Sequence, residues 1–140
     1  MVYICPGCFK ISDSNVKKCR YCGCDFEKVS DAQYSDKVVT ALDHPDHNVA
    51  IIACKIIGRL KIKEAEDKLI KKLKILTKER INPYFEKAII EALGAIGTEK
   101  AYLFLTKNRA SFSIISKENF NTALNTIKNK LTKNYPKKHT

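Results

Sequence analysis

The chain has 140 residues, 26 Lys+Arg against 15 Asp+Glu, a formal net charge of +11, six Cys and no Trp. At 44% hydrophobic it can bury a core and is not a disordered polyelectrolyte. No run approaches the ~18 apolar residues of a membrane span, and residues 1–10 lack the long apolar core and cleavage site of a signal peptide. A cytoplasmic, reducing location is therefore expected, where Cys residues serve as metal ligands or redox groups rather than as a disulfide framework.

The charge is uneven. Residues 1–30 hold 5 Lys+Arg and 3 Asp+Glu (+2), residues 31–97 hold 12 and 10 (+2), and residues 98–140 hold 9 and 2 (+7). Three segments follow: a Cys-rich head at 1–29, a charge-balanced helical body at 30–133 and a basic tail at 134–140.

In the head, Cys5-Pro6-Gly7-Cys8 is followed after ten residues by Cys19-Arg20-Tyr21-Cys22-Gly23-Cys24. A CxxC turn points two thiolates at one ion, and two such turns make a tetrahedron suited to zinc. Gly7 and Gly23 are expected to supply backbone freedom for the turns, and Val2–Ile4 and Phe9–Ile11 suit short flanking strands. So small a segment cannot stabilise itself by apolar burial, so a metal would supply most of its folding energy. Cys5, Cys8, Cys19 and Cys22 are the expected ligands of one structural Zn2+. Cys24 is read as a nearby spare thiol that competes in principle with Cys22. A redox dithiol at Cys5/Cys8 is the other reading, but it leaves the second pair unexplained. The head is similar to small zinc ribbons. Four protein ligands leave no open coordination position, so such a site is structural and not catalytic. Four thiolates on one divalent ion also make the head nearly neutral.

In the body, Val49, Ile52, Ala53, Ile56, Ile57 and Leu60 recur at helical spacing. A shift of 36 gives Phe85, Ala88, Ile89, Ala92, Leu93 and Ile96, and maps Gly58 onto Gly94. A further shift of 31 gives a weaker third copy through Phe120, Ala123, Leu124 and Ile127, with Asn125 at the glycine position. Each copy follows another amphipathic segment. Start signals stand at Ser30 with Gln33, Asp46, Asn82 with Pro83, Thr98 and Ser116. The expected fold is all-α: six helices in three antiparallel pairs at about 31–43/47–60, 64–77/83–97 and 99–108/116–132, stacked as a short solenoid. An ordinary six-helix bundle is the alternative.

The body resembles HEAT repeats, in particular the short prokaryotic kind related to phycobilisome-lyase repeats. The resemblance is carried by Leu42–Val49, Ala53–Leu60 and Glu91–Gly97. It implies an acidic-Pro turn, a small-residue second helix and close helix approach. Ala50 and Glu86 stand where that family often has Arg, so its polar ladder is missing or replaced.

His44 and His47 fall on a turn between paired helices, where Asp and Pro are expected anyway; a second metal site is the alternative. Cys54 sits at a small-residue position and is expected to be a buried thiol rather than a nucleophile. The chain carries no Gly-rich phosphate loop, GxSxG elbow or plausible triad, so a non-enzymatic role is expected. His139 is expected to be solvated.

The leading expectation is an adaptor that docks a protein partner on its helical surface. Nucleic-acid binding is the alternative, through the basic residues Lys107, Arg109, Lys117, Lys128, Lys130 and Lys133, with the ribbon as a second contact. The exposed ends of a short solenoid also admit a homodimer. No membrane partner is expected.

Overall fold

The computed structural model describes residues 2–13 and 16–134; the expectations for the tail beyond them, His139 included, lie outside the described residues. The head begins with a hairpin of β1 (Val2–Ile4) and β2 (Ile11–Asp13), antiparallel, with Val2 opposite Asp13 and Ile4 opposite Ile11. A 3-10 turn at Phe26–Lys28 then leads to the helices. These are α1 (Asp31–Thr40), α2 (His47–Leu60), α3 (Glu66–Glu79), α4 (Pro83–Ile96), α5 (Glu99–Lys107) and α6 (Lys117–Asn134).

Four of the five start signals act as local chemistry predicts. Ser30 Oγ accepts from the Gln33 N–H at 3.1 Å while Gln33 Oε1 accepts from the Ser30 N–H at 2.9 Å, a reciprocal capping box. Asp46 Oδ1 accepts from Asn48 N–H at 2.9 Å, Asn82 Oδ1 from Phe85 N–H at 3.1 Å, and Thr98 Oγ1 from Ala101 N–H at 3.0 Å. Ser116 departs from expectation. It lies in a 3-10 turn at Ile114–Ser116, and its hydroxyl points inward to donate to Glu86 Oε1 at 2.7 Å. The expected first helix is also shorter than 31–43, because its last turn tightens to a 3-10 turn at Ala41–Asp43.

The helices form two layers. α2, α4 and α6 pack side by side in one, and α1, α3 and α5 form the other, each against its own partner. The second helices make far more extensive mutual contact than the first helices do. The second-helix layer is therefore the more tightly packed of the two and is called the inner layer, the first-helix layer the outer. Small residues permit this closeness. A Cβ added at Gly94 would lie 2.7 Å from the Ala123 Cβ and 2.8 Å from its Cα, so α6 approaches α4 as only glycine allows. At the equivalent Gly58 the nearest atoms would be the Ala95 Cβ at 3.4 Å and the Ala92 Cα at 3.5 Å, ordinary contact. Between the layers lie Leu42, Ile57, Leu69, Leu73, Ile89 and Leu93, all fully buried. Sequential stacking of pairs around one continuous core makes this a short all-α solenoid.

Candidate functional site

The two CxxC turns meet beside β1. The sulfurs of Cys5, Cys8, Cys19 and Cys22 all lie within 4.8 Å of one another, with Cys5 Sγ 3.5 Å from Cys22 Sγ and Cys8 Sγ 3.7 Å from Cys19 Sγ. A tetrahedral ion with metal–sulfur bonds of about 2.3 Å needs sulfurs about 3.8 Å apart. The four cysteines could therefore hold one metal ion. Backbone N–H groups aim at the sulfurs, as thiolate binding requires: Gly7 N–H reaches Cys5 Sγ at 3.3 Å and Tyr21 N–H reaches Cys19 Sγ at 3.4 Å. Burial pushes the Cys5 and Cys8 thiols up, whereas the Cys22 N–H holds Cys19 down at about 6. A cation among them would favour all four thiolates together and release protons on binding. Cys24 is not among the four, and its Cβ would be 3.3 Å from a Cβ added at Gly7.

Gly7 and Gly23 act differently. Gly23 takes a left-handed φ of +79°, as expected, but Gly7 does not adopt positive φ. Its missing side chain instead makes room for Cys22 Sγ, which would lie 3.0 Å from an added Cβ. The left-handed residue of the first turn is Phe9, at φ +63°.

The head is docked on the first repeat. Ile4 belongs to the solenoid core, and its N–H donates to Tyr34 Oη of α1 at 3.3 Å. Tyr3 stacks on Tyr34 with ring centroids 4.3 Å apart, and Phe9 meets His44 at 6.0 Å. Burial raises the Tyr3 phenol to about 12, consistent with its place in this seam.

The histidines are engaged in turns. His44 Nδ1 accepts from Asp46 N–H at 3.0 Å, and His47 Nδ1 lies 2.9 Å from Asn82 Nδ2, tying the start of α2 to the start of α4. Among the described residues the four-cysteine group is the one potential metal cluster. Cys54 is fully buried on α2, and burial raises its thiol, so it is poorly disposed to act as a thiolate.

Glu86 accounts for the substituted polar position. Its Oε1 accepts from the Ser113 N–H at 2.8 Å, the Ser113 hydroxyl at 2.9 Å and the Ser116 hydroxyl at 2.7 Å. A buried side chain of α4 thereby fastens the entry to α6. On the outer layer, ion pairs run from repeat to repeat: Asp43 with Lys68 and Lys72 at 2.6 and 2.8 Å, and Asp67 with Lys100.

The six basic residues singled out in the sequence are distributed over α5, the turn after it and α6. Arg109 and Lys117 border a cavity of about 390 Å3 beside Phe112 and Phe120. Lys130 stands 13 residues further along α6 from Lys117, about 20 Å of helix axis, and donates to the Ala95 carbonyl of α4. Lys107, Lys128 and Lys133 are solvent-exposed. The inner face holds a different feature, a groove of about 360 Å3 between α2 and α4 lined by Lys55, Gly58, Arg59, Glu91, Ala92 and Ala95. The 36-residue repeat singled out Gly58, Ala88 and Ala92 as small residues of second helices, but their exposure to a groove depends on the stacking of repeats.

Among the described residues no helix is long and apolar enough to cross a membrane. No curated protein and no solved structure matches the chain. The sequence profile of the HEAT repeats matches residues 35–112, more than half of the chain. That match spans α2, α3, α4 and α5 and most of α1, the segment that holds recurring helix pairs with small-residue second helices and the acidic-Pro turn at 43–46. The chain belongs to the HEAT-repeat family.

Proposed function

We propose that the chain is a non-enzymatic adaptor that docks a protein partner in the inner groove of its HEAT repeats. In this reading, residues 1–29 are a zinc ribbon, held by one structural Zn2+ on Cys5, Cys8, Cys19 and Cys22, that closes the first helix pair. Residues 30–133 are the repeats and 134–140 a basic tail. The observation that carries the reading is the open groove on the second-helix layer, with exposed Lys55 and Arg59 above a floor of small residues. Helical repeats commonly use such surfaces for binding. The ribbon's role follows from its seam with α1 through Tyr3, Ile4 and Tyr34.

A photo-crosslinking amino acid at position 55, on the inner layer, is expected to capture one defined partner in cells, and the same group at position 78, on α3, to capture none. Failure to capture at position 55, or equal capture at both, overturns the adaptor reading.

Nucleic-acid binding through Arg109 and Lys117 is the second reading, favoured by the aromatic rings beside them. Phe120, however, is buried, with the Arg109 guanidinium already over its face at 5.5 Å, so the ring is not free to stack on a base. A mobility shift at low salt that disappears at physiological salt would support this reading.

A further inference from the structure

The inner groove ends in a cationic cluster that the repeat pattern does not require. Lys130 of α6 passes over Gly97 and donates its Nζ–H to the carbonyl of Ala95, a residue that also lines the groove. Gly58 packs on the same Ala95, an added Cβ there lying 3.4 Å from the Ala95 Cβ, so the end of α2, where Lys61 closes the helix at φ +53° with Lys63 just beyond it, comes up beside this carbonyl. Burial, then the charges of Lys61 and Lys63, hold the Lys130 pKa below its ordinary value.

A lysine at a helix C-terminus is ordinary, because the last carbonyls attract a cation. One lysine on Ala95 meets that need; two more from the preceding repeat add repulsion. Among the described residues none of the three forms an ion pair with a carboxylate, whereas Lys68, Lys72 and Lys100 on the outer layer all do. The groove's own carboxylate, Glu91, has its Oε1 occupied by the Asn119 amide at 2.8 Å. Lys55 and Arg59 then continue the positive edge along α2.

We propose that this groove binds an extended acidic segment of a protein partner, with its carboxylates paired to Lys55, Arg59 and the Lys61/Lys63/Lys130 cluster. The proposal rests on the adaptor reading and names the chemistry of the partner. From Lys55 to Lys61 is six residues, about 9 Å along a helix, which about three extended residues cover. The floor is Gly58, Ala88, Ala92 and Ala95, shallow and aliphatic, so a peptide backbone can lie close to it. No aromatic ring lines this groove, and sequence-tolerant single-strand binding depends on such rings for stacking. The floor therefore favours acidic peptide over nucleic acid.

The test is fluorescence anisotropy of the full, metal-loaded chain with labelled octaglutamate and, in parallel, labelled octathymidylate. Octaglutamate is expected to bind, and to bind more tightly than octathymidylate. Lys61→Asn/Lys63→Gln should weaken octaglutamate at least tenfold, and Lys130→Gln should weaken it as well. The first variant keeps the fold accessible, since both residues are exposed and Asn tolerates the left-handed position. The outer-layer variant Lys71→Gln/Lys78→Gln removes the same charge and should change the affinity less than twofold. Equal weakening by inner and outer variants, tighter binding of octathymidylate, or no binding of octaglutamate each overturns the proposal. If octaglutamate fails while a crosslinker at position 55 still captures a partner, the acidic segment is wrong and the adaptor reading stands; if both fail, both fall.

Discussion

Ile4 and Cys5 are neighbours in the chain and both are fully buried, yet they belong to different systems of cohesion. Ile4 faces the solenoid, in the same apolar core as Val38 and Leu42. Cys5 faces the other way, toward Cys22 and the remaining two thiols. On one side, stability comes from many apolar contacts distributed over three helix pairs. On the other, four sulfurs converge on one point where they could hold a metal ion, in a segment too small to bury much. A distributed core loses a fraction of its stability when one contact is removed. A centre that needs four ligands would be lost as a unit.

The largest expected effect is therefore in the head. Replacing Cys19 by Ser should abolish stoichiometric metal binding, measured by elemental analysis, and unfold the hairpin and its turns. Helical circular dichroism should largely persist, since the apolar core between the two helix layers is built mostly from the helices themselves. Cys24→Ser should retain the metal. Full metal content in the Cys19 variant would remove the distinction between the two regions.

Within the solenoid, the greatest single loss should follow Glu86→Ala. It strands the Ser113 N–H and the buried Ser116 hydroxyl, at a cost of about 3 kcal/mol by denaturant titration. Gly94→Ala should come next. An added methyl meets Ala123 backbone and side chain, and the shift of α6 should cost about 1–3 kcal/mol. Gly58→Ala, at the equivalent position one repeat earlier, should stay within about 0.5 kcal/mol of the parent, because its neighbours leave room and alanine favours the helix. Equal effects at the two glycines would show that the α2–α4 and α4–α6 junctions are equally tight.

The smallest effect concerns pH. Hydrogen bonds from Lys68 and then Lys72 hold the Asp43 carboxyl below its ordinary value. Its contribution is present above the ordinary aspartate range near pH 4 and is lost as pH falls through the lower folded value. The Asp43 side chain is 55% exposed, so screening limits the term to a few tenths of a kcal/mol. Asp43→Asn should flatten the acid limb of the stability profile by that amount, measured by urea titration between pH 5 and pH 2.

The repeating elements and the paired cysteines are legible in the order of residues alone. Spacing alone placed two CxxC pairs and a 36-residue period, because chelating turns and helix faces are local properties. Helix starts were legible for the same reason: Ser30, Asp46, Asn82 and Thr98 cap amides within three residues of themselves. Ser116 looked identical in sequence and serves Glu86, 30 residues away. Tertiary structure alone decided such long-range matters. It put the head against α1, gave Gly94 and Gly58 unequal freedom, and set Lys130 on the end of α4. It also brought Lys130 beside Lys61 and Lys63 at the end of the inner groove. Charge counted along a chain gives the number of cations in a segment. Which of them share a surface depends on how each repeat is rotated against the next, and that rotation is set by packing between helices far apart in sequence.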